Sequence, residues 1–121
     1  WTLGLASSSP RVLIDQSAAT MGIADLFATT MSTEELSDAA GKPAPDVYLE
    51  VCRRLGAEPG RSVAVEDSTN GLLSAHAAGM KVVAIPPHFH PPAPEVLALA
   101  DVVIDSLDDL TIDLVAGLLE S

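Results

Sequence analysis

Three groups of polar residues have the types and spacing that phosphate or metal chemistry requires. Glu66 and Asp67 are adjacent carboxylates that follow the apolar run 63–65, Lys42 lies in the stretch GKPAPD, and residues 7–9 are three serines. Paired carboxylates suit a hard cation such as Mg²⁺, and a lysine can neutralise the charge of a phosphoryl group. Hydroxyls beside a helix start hold phosphate oxygens. The three groups could therefore serve one phosphate-handling site.

Elements of an α/β fold separate these groups and explain how they could meet. Apolar runs at residues 2–6, 63–65 and 81–85 read as short strands, with a weaker one at 27–31, and helical periodicity fills the segments between them. We predict that 63–65 is buried on both faces, as in a parallel sheet. The carboxyl ends of parallel strands share one edge, so distant polar groups can converge there.

The remaining elements follow from capping signals and apolar faces. We predict one helix from Pro45 or Asp46 to Gly56, with Tyr48 and Cys52 in the core, and a second one that Gly79 ends. Residue 67, 68 or 70 caps the second helix. Five prolines make 86–94 a loop, followed by a helix at 95–100 and a strand at 102–104. Ser106 and Asp109 resemble a capping box before a last helix with an apolar face of Leu110, Leu114, Val115 and Leu118.

Size and charge bound the class of protein. A chain of 121 residues and 12.5 kDa fits one domain, and 48% apolar with 3% aromatic residues favours an aliphatic α/β core. The net charge of −11 argues against nucleic acid and anionic membranes as partners. One cysteine, no long apolar run and no signal peptide predict a cytoplasmic location.

Each polar group alone has an ordinary structural explanation, as a helix cap or a solvated charge, but their order carries a resemblance. LASSS, GKPAPDVY and VEDSTNG look like motifs two, three and four of the haloacid dehalogenase (HAD) superfamily, and most resemble its phosphatase and β-phosphoglucomutase-like branch. The resemblance implies a three-layer Rossmann-like core with a parallel sheet. It also implies that Ser7 and Ser8 bind the phosphoryl group, that Lys42 is the catalytic lysine, and that Glu66 and Asp67 position Mg²⁺.

The sequence departs from that family in lacking its first motif. No DxDxT/V sequence supplies the aspartate nucleophile, and the helical cap that selects the substrate is absent. We therefore expect residues 1–121 to form a partial core domain, motifs two to four, that is inactive alone and whose partner is a missing N-terminal segment of the same protein. In the family the nucleophile strand lies between the strands ending in motifs two and four. We thus expect strands 2–6 and 62–65 not to pair directly.

The function that the resemblance implies for the full-length protein is Mg²⁺-dependent phosphoryl transfer. The prediction is a phosphatase or phosphomutase that acts on a small phosphorylated metabolite such as a sugar phosphate. The alternative is a HAD-like module that binds phosphate or a partner, or regulates, without turnover. The sequence upstream of Trp1 distinguishes the two, because only the enzyme needs the first motif.

Overall fold

Short parallel strands alternate with helices in this computed structural model, which describes residues 2–7, 16, 29–32 and 42–120. Labels count the elements within those residues. They are β1 Gly4–Ser7, β2 Thr29–Ser32, α1 Asp46–Leu55, β3 Val63–Glu66, α2 Thr69–Ala77, β4 Lys81–Ala84, α3 Pro94–Leu97, β5 Val102–Val103 and α4 Ile112–Leu119. Two 3₁₀ turns, Pro59–Arg61 and Leu107–Asp109, precede β3 and α4.

The strands form two parallel sheets that lie side by side. In one sheet β1 pairs with β2, and in the other the order is β3, β4, β5. The predicted α/β class with parallel strands is confirmed. Within the described residues no ladder joins β1 to β3, as expected for strands that do not pair directly.

One hydrophobic core spans both sheets. It contains Met31 of β2, Val47 and Val51 of α1, Leu72 of α2 and Val82 of β4, all at most 6% exposed. Helix α1 packs against β1 and β2 and also contacts α2, which packs against β3 and β4. Helix α1 therefore connects the two sheets.

The capping signals set the ends of α1 and α2. Gly56 (φ 67°) and Gly79 (φ 82°) follow these helices in left-handed conformations, which glycine adopts without steric cost. Of the three candidate caps before α2, Ser68 is the one used, because its Oγ accepts the Gly71 N–H at 3.1 Å. The predicted boundaries of both helices are confirmed.

The C-terminal part differs from prediction in its capping. Ser106 caps the turn Leu107–Asp109, since its Oγ accepts the Asp108 N–H at 3.1 Å, and it does not cap the last helix. Thr111 has that role and accepts the Leu114 N–H at 3.1 Å. Leu110 consequently precedes α4 and is not in it. The chain turns once more before the helix begins, so the cap of α4 lies one turn later than predicted.

Other elements are shorter than predicted. Helix α3 covers Pro94–Leu97, not 95–100, and β5 covers Val102–Val103. The prediction that β3 is buried on both faces is wrong at Val65, which is 40% exposed. Ala64 and Glu66, on the other face of the strand, are buried. Within the part of the chain that the structure describes, no helix has the length and apolarity needed to cross a membrane.

Candidate phosphate and metal site

Lys42 connects the carboxyl ends of β1 and β3. Its Nζ donates to Oε1 of Glu66, the last residue of β3, at 2.6 Å, and to the carbonyl oxygen of Ala6 in β1 at 3.5 Å. The Lys42 and Glu66 side chains are only 11% and 8% exposed. A partly desolvated pair of this kind is held more firmly than a surface ion pair, because water screens it less.

Glu66 is fixed by contacts from three directions. Lys42 and the hydroxyl of Tyr48 both donate to Oε1, and the first turn of α2 lies against the rest of the carboxylate. A Cβ at Gly71 would overlap both carboxylate oxygens of Glu66, so this position must be glycine for the helix to approach so closely. These contacts hold the carboxylate between the Lys42 loop, α1 and α2.

Tyr48 contributes a polar contact that sequence reasoning missed. The predicted core position of its side chain is confirmed, because Tyr48 is only 8% exposed. Its hydroxyl nevertheless donates to Glu66, and its ring centroid lies 5.2 Å from Lys42 Nζ. Burial, and next the charge of Glu66, raise the pKa of the Tyr48 hydroxyl, which therefore stays protonated at neutral pH. A buried tyrosine needs a hydrogen-bond partner, and this was the signal available in GKPAPDVY.

Ser74 anchors the loop that carries Lys42. It is fully buried in α2, and its Oγ donates to the carbonyl oxygen of Ala44 at 2.7 Å. Gly71 and Ser74 lie three residues apart, on one face of α2. That face thus contacts Glu66 with one residue and the Lys42 loop with the other.

Asp67 differs from its neighbour in being exposed. Alternation along the strand buries Glu66 and leaves Asp67 just beyond the end of β3, where no described residue is its hydrogen-bond or ion-pair partner. Mg²⁺ in proteins is commonly held by one or two carboxylates together with water and substrate phosphate. The donor set fits such an ion with Asp67 as the accessible ligand, although the described residues contain no cluster of three or more metal-binding side chains.

A long cleft separates β1 from β3 and includes the predicted site residues. Its volume is about 1480 Å³, and Ser7, Lys42, Glu66 and Asp67 all line it. Ser8, predicted to bind phosphate with Ser7, lies outside the described residues. The structure therefore brings together the four predicted residues that it describes, and their individual roles stay predictions.

Apolar side chains line much of the cleft away from these residues. They come from the edges of β1 and β3, from α1 and from the C-terminal segment, and include Leu5, Cys52, Leu55, Val65, Leu110, Val115 and Leu119. Two strand edges flank this space, and α1 and α4 contribute apolar residues to its wall. Burial raises the pKa of the Cys52 thiol, so this cysteine is a neutral part of the wall.

The parallel α/β architecture with charged residues at its carboxyl edge is a Rossmann-like arrangement, in which ligands bind at that edge. Residues 1–85 match the family of haloacid dehalogenase-like hydrolases, and the chain belongs to that family. Hexitol phosphatase B of Escherichia coli (strain K12) is 37% identical over 114 residues, which cover 90% of this chain and 48% of that protein.

A second relative agrees with the family assignment, and a solved structure shares the fold. Validoxylamine A 7'-phosphate phosphatase of Streptomyces hygroscopicus subsp. limoneus is 31% identical over 108 residues, 89% of this chain and 48% of the relative. The crystal structure of β-phosphoglucomutase from Clostridium difficile aligns with a TM-score of 0.81 at 23% identity, over 98% of this chain and 49% of that one, and shows the shared fold. The chain spans about half the length of these curated relatives.

Proposed function

We propose that the complete protein to which this chain belongs is a Mg²⁺-dependent phosphatase or phosphomutase that acts on a small phosphorylated metabolite such as a sugar phosphate. The observation that carries the proposal is the Lys42–Glu66 pair at 2.6 Å, at the edge of the cleft beside the exposed Asp67. Two relatives named as phosphatases of small phosphorylated molecules support the choice of substrate class.

Each side chain has a distinct part in the proposed reaction. Lys42 has three N–H donors, and the one not directed at Glu66 or Ala6 is available to a phosphoryl oxygen. Its charge stabilises the negative charge that phosphoryl transfer spreads over those oxygens. Ser7 ends β1 and offers a hydroxyl at the same edge, while Glu66 keeps Lys42 in place.

Asp67, with Glu66 behind it, would hold Mg²⁺. The ion supplies charge neutralisation at the phosphoryl oxygens when it is bound. Glu66 is already engaged by Lys42 and Tyr48, so direct binding to the ion falls chiefly to Asp67. Water and the substrate phosphate complete such a site in general.

The attacking group comes, in this proposal, from a segment of the same protein that is not in these 121 residues. An extended segment in the cleft would hydrogen-bond to the edges of β1 and β3 and cover Leu3 and Val65, which are 54% and 40% exposed. Its carboxyl end would lie beside Lys42 and Asp67 if it ran parallel to both strands. An aspartate there is the nucleophile that the family resemblance calls for.

The experiment that tests this proposal is Lys42→Ala in the complete protein, assayed for Mg²⁺-dependent phosphate release from a panel of phosphate monoesters. We expect turnover to fall roughly 10²- to 10³-fold, because one electrostatic donor to the transition state is lost. Lys81→Ala is the matched control, since Lys81 begins β4 at the opposite end of the sheet. That variant should keep its activity within about twofold of wild type.

A change under about threefold in Lys42→Ala would place the lysine outside the reaction. A complete protein with no turnover that still binds inorganic phosphate would support the alternative, a HAD-like binding or regulatory module.

For the enzyme we propose a cytoplasmic location, supported by the single, buried and unpaired thiol of Cys52.

A further inference from the structure

One oxygen of Glu66 accepts two hydrogen bonds from side chains that differ in charge. Oε1 accepts from the ammonium of Lys42 at 2.6 Å and from the neutral hydroxyl of Tyr48. The other oxygen lies against the buried Gly71 in the first turn of α2. A carboxylate oxygen has two lone pairs, so these two donors saturate Oε1.

Sharing the oxygen affects how strongly Lys42 is held. If Lys42 were the only donor, all the charge on Oε1 would act on the ammonium and draw it toward Glu66. A second, neutral donor stabilises part of that charge and lowers the demand on Lys42, because hydrogen bonds to an ionised group are strong. The lysine can then direct more of its charge to an anion in the cleft.

Tyr48 is suited to this role by its position. It lies in the first turn of α1, directly after the Lys42 loop that Ser74 anchors, so one segment of the chain carries both donors to Glu66. The hydroxyl is the donor in this contact, because a carboxylate oxygen can only accept. The ring and the hydroxyl make separate contacts, the ring with Lys42 at 5.2 Å and the hydroxyl with Glu66.

We infer that Tyr48 is a positioning residue that shares Oε1 of Glu66 with Lys42 and so keeps the Lys42 charge available to the phosphoryl group. Tyr48 itself acts through these two side chains and transfers no proton. The inference rests on the proposed phosphoryl-transfer function.

Tyr48→Phe in the complete protein tests the inference, because phenylalanine keeps the ring contact with Lys42 and removes only the hydroxyl donor. We expect kcat to fall roughly tenfold, the equivalent of one hydrogen bond to a charged group, with KM within about threefold. The loss falls on kcat because Lys42 acts on the charge that develops in the transition state. In a Glu66→Gln background the same change should cost less than about threefold, because the shared charge is gone.

Val51→Ala is the matched control for a purely structural effect. Val51 is 6% exposed in the same helix, and its truncation should lower the denaturation midpoint while kcat stays within about twofold of wild type. An undiminished tenfold effect of Tyr48→Phe in the Glu66→Gln background would assign the loss to packing and overturn the inference. So would a wild-type kcat in Tyr48→Phe when Lys42→Ala is impaired as proposed. A wild-type protein without turnover would overturn the proposed function and this inference together.

Discussion

The two sides of strand β3 are unlike. On one side β4 pairs with β3 along its whole length, and Val82, Val83 and Ala84 of β4 are at most 1% exposed. On the other side β1 is not its partner, and a cleft of about 1480 Å³ that Val65 helps to line lies between them. Strand β3 thus has one edge paired within the sheet and one edge facing the cleft.

The charged residues are arranged independently of whatever occupies the cleft. Glu66 lies on the face of β3 that α1 and α2 cover, and contacts from Lys42, Tyr48 and Gly71 fix it there. We propose that the chain supplies the electrostatic part of a phosphoryl-transfer site and that the attacking group enters on the open side.

The largest predicted effect is on the phosphatase activity of the 121-residue chain, in which the open side of β3 has no added segment. The 121-residue chain alone should release no phosphate from any phosphorylated metabolite, with or without Mg²⁺, because its sequence has no aspartate in a DxDxT/V motif. The complete protein, purified in parallel and assayed on the same panel, is the control and should turn over. Turnover by the 121-residue chain that survives purification and disappears in Glu66 and Asp67 variants would show that another residue attacks.

A smaller predicted effect is on stability, and it compares the cost of shortening a valine side chain on the paired side of β3 with the cost on its open side. Val83→Ala, at a fully buried position of β4, should lower the free energy of unfolding by about 2 kcal/mol in both the 121-residue chain and the complete protein. Val65→Ala should cost under about 0.5 kcal/mol in the short chain, since the side chain is partly exposed. In the complete protein its cost should rise to about 1–2 kcal/mol.

Chemical denaturation of the four variants provides these values. An equal, small cost of Val65→Ala in both proteins would mean that nothing covers this side of β3. An equal, large cost would mean that the cleft is already closed in the short chain.

Local sequence signals predicted the helices, the strands and their ends. Features that depend on tertiary contacts could not be predicted in the same way. The left-handed glycines Gly56 and Gly79 end their helices where the sequence indicated, because that backbone conformation is a property of the residue itself. The convergence of Lys42 with Glu66 followed from the geometry of parallel strands. The failure at Val65 has the opposite origin, because burial of a strand face depends on which element packs against it.

Two further differences have the same cause. The sequence places Tyr48 on the inner face of a helix but does not indicate which polar group its hydroxyl contacts. The approach of β3 to α1 makes that group Glu66. The serine and threonine at positions 106 and 111 are both capable caps, and the extra 3₁₀ turn between them decides which one begins α4.

The most direct test of the phosphoryl-transfer account is Mg²⁺-dependent phosphate release by the complete protein carrying Asp67→Asn. Asp113→Asn in α4 is the matched control, because it removes the same charge from an exposed position in another part of the chain. We predict that Asp67→Asn abolishes turnover at every Mg²⁺ concentration, with the free energy of unfolding within about 0.5 kcal/mol of wild type, and that Asp113→Asn retains activity. Wild-type turnover and wild-type Mg²⁺ dependence in Asp67→Asn would contradict the account.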